Sequence, residues 1–563
     1  MTKFEIVAAL QEIGMLMRFT AKDPFRARAY TRAAQSIGDY PGDLDKMIED
    51  GRLTELKGIG SSLAGVIGDL HNTGRSSLLE KLREDLPPGI LVLSQIPKLT
   101  LKRIRQLHES LGINNIEDLK AALEAGKVRE VPGFGEKTEK ALLESLLAFQ
   151  NSDREVLLIH ALRIADKVIA HLRTSEHIID IDVAGEARRW KEAVSRISIT
   201  ASSPHPQELI KHFLKLPSIV HIEDQSHNGA RARLIDGATI EFSVIQPKRY
   251  SNLLLIGTGS SPHLKRLNEI AQKKKTDLAA LSVTSEREIY ERLKMQWVPP
   301  ELREDEGEIE AALKNEIPED LITLSDIRGA THCHTVYSDG RNTVEEMALA
   351  AEAAGMKYIT ITDHSPSAFY AQGVKLDRLK KQWEEIDRVQ ENVSIKILKG
   401  TESDILRDGA LDYPDRILEK FDIIIASIHS RFSLDEDAMT ERVISAMKNR
   451  FYKIWGHPLG RLVGRRPPIP CRVDEVLDVI AESGAAIEIN GDPYRLDLEP
   501  RWIREARKRQ IKFVISTDSH SISDLKNLKF GVGIARRGWV RRGEVLNALP
   551  VRSFQSAVNP VHG

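Results

Sequence analysis

The sequence predicts a multidomain protein of mixed α+β and α/β class, in which helical domains precede a C-terminal βα barrel. Its 563 residues exceed one ordinary domain, and 41% hydrophobic with 29% charged residues is a globular composition. Residues 1–150 have the pattern of helices joined by short turns. Six later apolar runs each end in a metal-ligand residue type, which is typical of barrels whose active site lies at the strand ends. These runs are Lys357–His364, Ser394–Asp404, Phe421–His429, Phe451–His457, Ala485–Asn490 and Lys512–His520.

The bulk composition excludes several classes of protein. The chain has two cysteines, Cys333 and Cys471, which cannot form a disulfide framework and suit a reducing compartment. It contains no apolar run of membrane-spanning length and no basic-then-apolar start. A net charge of −1 means that DNA contacts must come from local motifs rather than from the field of the whole protein. We expect a cytoplasmic protein without a membrane partner, and a monomer is the favoured oligomeric state.

Two glycine motifs in the N-terminal third each precede a helix-forming stretch. Gly58-Ile59-Gly60 leads into Ser61–Leu70. Gly133-Phe134-Gly135 leads into Glu136–Leu147, with Lys137 at its start. Such paired glycines let the backbone approach a phosphate, and the next helix offers free N–H groups and the positive end of its dipole. We therefore predict two helix-hairpin-helix motifs that bind the DNA backbone without reading sequence, through Gly58, Gly60, Gly133, Gly135 and Lys137.

A third, weaker copy of this motif lies between the other two. Ile96-Pro97-Lys98-Leu99 precedes the helix-forming stretch Leu101–Leu111 but lacks the glycines. The alternative interpretation of a single copy is an ordinary glycine-closed helical turn. Repetition at a similar spacing makes that alternative weaker.

The segment that opens the barrel carries the pattern H-x-H. His332 and His334 are two residues apart, so on a strand both point to one face and Cys333 points to the other. Imidazole and carboxylate ligands without a thiolate are typical of catalytic zinc, manganese or iron. Clustered divalent ions hydrolyse phosphoesters by activating water and by neutralising the attacked and leaving oxygens. The alternative for a lone histidine is a hydrogen-bonded core residue, but it does not explain the whole group.

Short motifs spread over residues 326–563 carry a specific resemblance. Besides H-x-H they are Ser338–Gly340, Ile361–Ser365, Gly400–Ile405, Leu411–Ile417, Ala426–Ser430, Gly456–Leu462, Ile487–Asn490, Thr517–His520 and Ala535–Trp539. Together they resemble the PHP (polymerase and histidinol phosphatase) domain at the C-terminus of bacterial family X DNA polymerases. The resemblance implies a distorted (β/α)7 barrel with 3′–5′ exonuclease or related phosphoesterase activity on DNA.

The resemblance also implies a site for up to three divalent ions, manganese or zinc, with iron as a further option. The ligands implied are His332, His334, Asp339, His364, Glu402, His429, His457, Asp518 and His520. Glu402 would be the bridging carboxylate. The catalytic roles fall to Glu402, His429 and Asp518.

The N-terminal residues resemble the eight-kilodalton-like domain and the fingers of the same polymerase family. Phe25–Tyr30, Ala33-Ala34 and Ile37 fit that pattern. Some members use a lysine after the first hairpin for lyase chemistry. The aligned positions here are Ser62 and Val66, which cannot form an imine, so we do not expect lyase activity.

The middle third resembles the family's palm but departs from it at the catalytic positions. The frame of Gly185–Ile199 is recognisable, yet Arg196 and Ser198 stand where the family has two metal-binding aspartates. The third carboxylate is retained as Glu241, and Glu186 replaces a serine that contacts the triphosphate. A guanidinium repels Mg²⁺ and supplies no oxygen ligand. We therefore predict a degenerate nucleotidyltransferase-like palm and thumb that no longer polymerise.

An alternative is that a displaced pair, Asp180 and Asp182, performs the polymerase chemistry. The two residues have strand spacing and present both carboxylates to one face. They precede Gly185, however, on the wrong side of the phosphate-binding turn. Trp297–Glu304 resembles the end of the family's thumb, and the acidic stretch Glu301–Glu310 is expected to be a solvated linker.

These patterns divide the chain into five segments and favour one function. The segments are 1–80 (eight-kilodalton-like, DNA-binding), 81–150 (fingers-like), 151–300 (degenerate palm and thumb), 301–325 (linker) and 326–563 (PHP domain). We expect a DNA-binding, metal-dependent phosphoesterase that acts as a 3′–5′ exonuclease or processes DNA 3′ ends in repair. The alternatives are an active family X polymerase/exonuclease of base excision repair, a histidinol-phosphatase-type enzyme and an inactive repair adaptor.

Overall fold

The computed structural model describes residues 3–20, 23–40, 44–84, 86, 89–151 and 155–559. Up to residue 151 it is helical, and the apolar faces of these helices meet in one core that includes Ile13, Tyr30, Ile67, Leu107 and Leu142. The helices are α1 (Lys3–Thr20), α2 (Pro24–Asp39), α3 (Leu44–Glu49), α4 (Ser61–Thr73), α5 (Ser77–Glu84), α6 (Ile90–Leu93), α7 (Leu101–Leu111), α8 (Ile116–Glu124) and α9 (Glu136–Asn151). No helix of the described segments is both long and apolar enough to cross a membrane.

Three turns of the same shape precede α4, α7 and α9. Gly58 and Gly133 have φ of 85° and 87°, and Lys98 takes the equivalent left-handed conformation with φ of 66°. A Cβ atom on Gly58 or Gly133 would meet no atom within 4 Å, so both turns leave open space next to the backbone. The glycine-free copy thus keeps the turn, although Lys98 occupies a conformation that favours glycine.

The palm is a mixed five-stranded sheet backed by helices on one face. Its sheet order is β2-β4-β7-β6-β5, in which β4 and β7 are parallel and the other pairs antiparallel. Leu158, Val168, Phe213 and Phe242 lie in the core between sheet and helices. The elements are β1 (Val156–Leu157), α10 (Leu158–Leu172), β2 (Asp180–Ala184), α11 (Gly185–Arg188), β3 (Ala193–Val194), β4 (Ile197–Ser202), α12 (Pro206–Leu214), β5 (Ile219–Gln225), β6 (Gly229–Leu234) and β7 (Thr239–Ile245).

The segment after the palm is folded and paired, which corrects the expectation of a solvated linker. Arg303 is fully buried and contacts Glu286, while Glu308 is fully buried 2.6 Å from His263 Nδ1. Glu304 pairs with Arg189 of the palm at 2.8 Å. The six carboxylates of the run all have partners from elsewhere in the fold: five pair with arginines, and the buried Glu308 pairs with the imidazole of His263. The helices here are α13 (Tyr250–Thr258), α14 (Ser261–Lys273), α15 (Glu286–Arg292) and α16 (Glu308–Lys314).

The C-terminal region is a seven-stranded, all-parallel sheet that curls into a nearly closed barrel, as expected. Neighbours follow sequence order from β8 to β14, and a bridge between Cys333 and Ser519 brings the two edge strands together. Strand cores such as Ile423–Ile425 are continuously apolar because helices cover the outer face. The elements are β8 (Gly329–Cys333), α17 (Val344–Ala353), β9 (Tyr358–Ile361), α18 (Leu376–Gln390), β10 (Lys396–Asp404), α19 (Asp415–Leu418), β11 (Ile423–Ser427), α20 (Glu436–Met447), β12 (Ile454–Trp455), α21 (Val473–Ser483), β13 (Ala486–Asn490), α22 (Pro500–Lys508), β14 (Phe513–Ser516), α23 (Leu528–Arg537) and α24 (Val551–Val558).

The palm docks on the barrel through the residues that follow its Gly185 turn. Glu192 lies 3.1 Å from Arg461 and 3.2 Å from Arg537 of the barrel. Burial would raise the pKa of Glu192, but these two arginines hold it below its usual range. Trp190 packs edge-on against Phe530, with ring centroids 5.7 Å apart. An ionic and an aromatic contact thus join the palm to the barrel.

Candidate metal centre

The predicted ligands lie at the carboxyl ends of the barrel strands or just beyond them. Parallel strands present these ends at one face, so residues far apart in sequence meet there. His332 is in β8 and Glu402 in β10. The others follow a strand: His334 and Asp339 after β8, His364 after β9, His429 after β11, His457 after β12, and Asp518 and His520 after β14.

Eight of the nine form three overlapping groups whose potential ligand atoms lie within 4.8 Å of one another. The groups are His334/Asp339/His364/His520, His332/His334/Glu402/Asp518 and His364/Glu402/His429. The ninth residue, His457, has its Nε2 atom 2.8 Å from Glu402 Oε1. His334 and His364 are each shared by two groups, so the three potential sites are contiguous.

Glu402 is the central carboxylate of the cluster. Its Oε2 lies 2.9 Å from His364 Nδ1, and its Oε1 lies 3.2 Å from His429 Nε2. His332 Nε2 and His334 Nε2 are 3.3 Å and 3.5 Å from its two oxygens. A carboxylate that belongs to two groups has the position needed for the bridging role that the resemblance implies.

The opening H-x-H places its side chains as the spacing predicts. The His332 and His334 rings are 5.2 Å apart inside the cluster, whereas Cys333 packs outward among Val344, Met347 and other apolar residues. The strand is irregular here, because its pairing with β9 shifts register between Ala330 and Cys333 and His332 has a φ of 59°. Left-handed backbone at a non-glycine residue is strained, and such strain concentrates at functional sites.

The chemistry of the donor atoms fits cations. Within the described part of the chain, several buried polar atoms of the cluster have no hydrogen-bond partner: His332 Nε2, both nitrogens of His334, His364 Nδ1, Glu402 Oε2, His457 Nδ1 and Asp518 Oδ1. Leaving a buried polar atom unpaired costs about 1–3 kcal/mol. The Nε2 atoms of His429 and His457 also lie only 3.2 Å apart. A divalent ion would satisfy these lone pairs together.

The carboxylates and histidines of the cluster shift one another's pKa values. Burial would raise the pKa of Glu402, but His429, His364 and His332 hold it well below its usual range. Burial would lower the pKa of His429, yet Glu402 and Asp404 raise it to about 9. His334, buried beside His520 and His364, has its pKa lowered to about 3. Metal binding at such a site releases protons from the raised histidines.

Two carboxylates outside the nine predicted ligands orient the histidine ligands: Asp404, which ends one of the apolar runs, and Glu488, which the sequence analysis did not single out. Glu488 Oε1 is 2.5 Å from His332 Nδ1, and Asp404 Oδ1 is 2.5 Å from His429 Nδ1. A carboxylate at one ring nitrogen fixes the tautomer and turns the other nitrogen towards the metal. The available signal for Glu488 was a charged residue between Ile487 and Ile489 in a strand buried on both faces.

We expect Glu488→Gln to lower metal affinity by about 10- to 100-fold, because an amide offers His332 only one neutral acceptor. Titration of the metal-free protein with Mn²⁺, followed by the paramagnetic signal of free Mn²⁺, measures this. The matched control is Glu385→Gln, because Glu385 accepts a hydrogen bond from Tyr337 outside the cluster. Equal affinity of Glu488→Gln and the unaltered chain would show that Glu488 does not support the site.

The degenerate palm positions form an ion pair. Arg196 Nη1 lies 3.2 Å from Glu241 Oε2, and Ser198 is paired with Glu241 across β4 and β7. Glu186 Oε2 accepts hydrogen bonds from the backbone N–H and the hydroxyl of Ser195, at 2.7 Å and 2.6 Å. The retained carboxylate, Glu241, thus faces a cation. Glu186, which stands where the family has a triphosphate-contacting serine, is a carboxylate that binds Ser195 of the same chain.

The alternative pair lies on the neighbouring strand, away from this carboxylate. Asp182 and Asp180 are opposite Thr200 and Ser202, whereas Glu241 is opposite Ser198. Their carboxylates accept hydrogen bonds from Tyr250 (2.7 Å) and Ser202 (2.6 Å). The pair thus lies two strands from Glu241 and is engaged with Tyr250 and Ser202 rather than with that carboxylate.

Comparison with known families finds matches in the N-terminal, middle and C-terminal parts of the chain. Four family models match: a helix-hairpin-helix domain over residues 1–76, a SAM-like helix-hairpin-helix tandem over residues 90–146, the DNA polymerase beta thumb over residues 253–304 and the PHP domain over residues 330–492.

One curated relative matches nearly the whole chain, and others match only a shorter part of it. The DNA polymerase/3′-5′ exonuclease PolX of Bacillus subtilis (strain 168) is 34% identical over 99% of this chain and 99% of its own length. "Probable phosphatase Teth514_1060" of Thermoanaerobacter sp. (strain X514) is 31% identical over 38% of this chain and 89% of its own length. "Probable phosphatase TTE1963" of Caldanaerobacter subterraneus is 33% identical over 35% of this chain and 77% of its own length.

Proposed function

Because this chain belongs to the PolX family of DNA polymerases with a C-terminal PHP domain, we propose that it is a DNA-binding, metal-dependent 3′–5′ exonuclease that no longer polymerises. The observation that carries the proposal is the convergence of nine metal-ligand side chains, with the buried Glu402 at their centre and several donor atoms unpaired. The disrupted palm supports the second half of the proposal. A role in processing DNA 3′ ends during repair follows from the same activity.

The residues of the barrel would hold up to three divalent ions, Mn²⁺ or Zn²⁺, with Fe²⁺ as a further option. When bound, such ions activate water near neutral pH and neutralise charge on a phosphoryl group. Glu402 joins two of the groups, Asp518 belongs with His332 and His334, and His429 is oriented by Asp404. These contacts hold the ligands in place before substrate arrives. The metal-binding and catalytic roles of the nine residues are part of this proposal.

The hairpins would hold DNA by its backbone. A Cβ atom on Gly60 or Gly135 would meet no atom within 4 Å, and neither residue has left-handed backbone. Valine therefore fits there without strain but blocks close approach of a phosphate. We expect Gly60→Val with Gly135→Val to weaken DNA binding several-fold. Binding should also fall steeply with salt, since each phosphate contact releases counterions. Lys137, exposed at the start of α9, is expected to contribute one such contact.

Fluorescence anisotropy with a labelled oligonucleotide, without metal, measures this binding. The control is Gly543→Val in the barrel, where a side chain would likewise meet no atom within 4 Å. Unchanged affinity of the hairpin variant would show that the glycine turns are structural only. The strained variant Gly133→Val with Gly135→Val tests the same turn but also its backbone conformation, because Gly133 has a φ of 87°.

One comparison of substrates tests the proposed activity. The purified protein, loaded with Mn²⁺, is given 5′-labelled DNA and, separately, a small phosphomonoester such as histidinol phosphate. A gel shift with metal-free protein measures DNA binding without hydrolysis. We expect stepwise shortening of DNA from its 3′ end and little hydrolysis of the monoester. Binding without hydrolysis would instead indicate an inactive repair adaptor.

A small-molecule phosphatase is the second candidate, and the shorter relatives favour it. Their matches to this chain are 229 and 207 residues long, close to the length of the barrel, and cover most of each relative. Hydrolysis of the monoester without shortening of DNA would favour this function. The helix-hairpin-helix segments weigh against it, because a phosphatase of small metabolites does not need DNA-binding motifs.

A further inference from the structure

The mouth of the metal centre carries two exposed aromatic side chains. Phe369 is 81% exposed, the largest exposed fraction among the large apolar side chains of the described residues, and its neighbour Tyr370 is 66% exposed. The Tyr370 ring centroid lies 5.9 Å from that of His364 and 6.0 Å from that of His429. Both histidines are proposed metal ligands. Tyr370 therefore borders the place where a scissile phosphate would bind, and Phe369 precedes it in the same short turn.

The loop that presents these rings is anchored at both ends to the metal centre. Ser365 donates its N–H to the Glu402 carbonyl at 3.0 Å, and Val374 donates to the His364 carbonyl at 2.8 Å. Ser367 Oγ donates to Asp404, the carboxylate that orients His429, at 2.8 Å. Loops fixed in this way lose little entropy on binding. The two rings are therefore exposed on a loop that is fixed by hydrogen bonds, and not because the loop is loosely packed.

The surroundings of the pair suit a nucleic-acid strand. Val336 and Ile522, which are 46% and 44% exposed, follow His334 and His520 by two residues each. Arg341 follows Asp339 by two residues, and Arg431 follows His429 by two, and both are exposed. Aromatic faces beside cations are how proteins hold unpaired bases and the phosphates between them. A base-paired terminus presents only the outer face of its last pair, whereas unpaired bases can present their faces to both rings.

We propose that Phe369 and Tyr370 form a stacking platform that holds the 3′-terminal bases of DNA at the mouth of the metal centre. This inference rests on the proposed exonuclease function and adds the residues that bind the terminal bases. The two residues are positioning residues that bind bases. The hydroxyl of Tyr370 is not needed for stacking, so the ring alone should suffice.

A cycle of two proteins and two substrates tests the platform. The substrates are single-stranded 5′-labelled oligonucleotides whose 3′-terminal nucleotides are either normal or abasic. For the unaltered Mn²⁺-loaded chain we expect abasic ends to raise KM by about ten-fold or more. We expect Phe369→Ala with Tyr370→Ala to raise KM on the normal substrate by a similar factor. For this variant, KM on the abasic substrate should equal KM on the normal substrate. The alanine changes and the loss of the bases should each alter kcat little.

Three further measurements separate stacking from other causes. Phe369→Trp with Tyr370→Phe should restore KM, since rings are retained without the hydroxyl. Leu349→Ala, at a 46% exposed position on the outer helix α17, should leave KM unchanged. Mn²⁺ content of all variants should be equal, because neither ring is a ligand.

The outcomes distinguish this inference from the function on which it rests. If the unaltered chain shortens DNA but the alanine variant still discriminates against abasic ends, the platform is wrong and the exonuclease stands. Equal KM of the alanine variant and the unaltered chain leads to the same conclusion. If the unaltered chain does not shorten DNA at all, the proposed function fails and the platform with it.

Discussion

Replacing His332 and His334 together by alanine should reduce DNA hydrolysis by more than about 100-fold. Loss of a residue that only orients a metal ligand costs about 10- to 100-fold, and loss of two ligands should cost more. His334 belongs to two of the three ligand groups and His332 to one of them. Their loss removes both imidazoles from the group that they form with Glu402 and Asp518, although Glu402 keeps its contacts with His364 and His429. Rates on 5′-labelled DNA with saturating Mn²⁺ measure the effect, and the metal content of the same samples shows its cause.

The control for this variant is His171→Ala with His212→Ala. These two histidines also stack, with ring centroids 4.5 Å apart, but lie in the palm away from the barrel. We expect this control to retain hydrolysis and both variants to keep the circular dichroism of the folded chain. Fewer than one ion bound per unaltered chain after loading with Mn²⁺ or Zn²⁺ would contradict the multi-ion centre itself.

Primer extension on gapped DNA with all four nucleotides should give no templated product. The test uses the His332→Ala, His334→Ala protein, so that degradation cannot mask synthesis. Two aspartates of the family's palm are Arg196 and Ser198 here, and Arg196 pairs with the remaining carboxylate, Glu241. One neutral hydroxyl and one engaged carboxylate cannot hold two Mg²⁺ ions in near-octahedral geometry. Without these ions the triphosphate charge is not neutralised, so synthesis should fail rather than slow.

The outcome that would overturn this expectation is specific. Templated extension that disappears in Asp180→Ala with Asp182→Ala would show that the neighbouring strand supplies the missing carboxylates. Extension that survives this change but disappears in Glu241→Ala would show that the ion pair opens to admit a metal. The B. subtilis relative, whose name records polymerase activity, is the positive control.

The sequence by itself predicted the barrel and the residues that meet in the candidate metal centre. Strand periodicity fixes which residues share a face, so H-x-H already placed His332 and His334 together and Cys333 apart. The parallel order of strands then requires that their carboxyl ends meet. The glycine turns at Gly58 and Gly133 were predictable for the same local reason, since a left-handed turn favours glycine.

Only the tertiary structure decided which groups face one another across elements. Glu488 orients His332, Arg196 reaches Glu241, and Glu192 joins palm to barrel, yet nothing in their local sequence names these partners. The acidic run that includes Glu308 has the composition of a solvated linker but is partly buried, because arginines and the imidazole of His263, all from other segments, pair with its carboxylates. Local sequence patterns determine the secondary structure and which residues share one face of a helix or strand. Contacts between elements depend on strand register and helix packing, which bring together residues that have no fixed spacing in the chain.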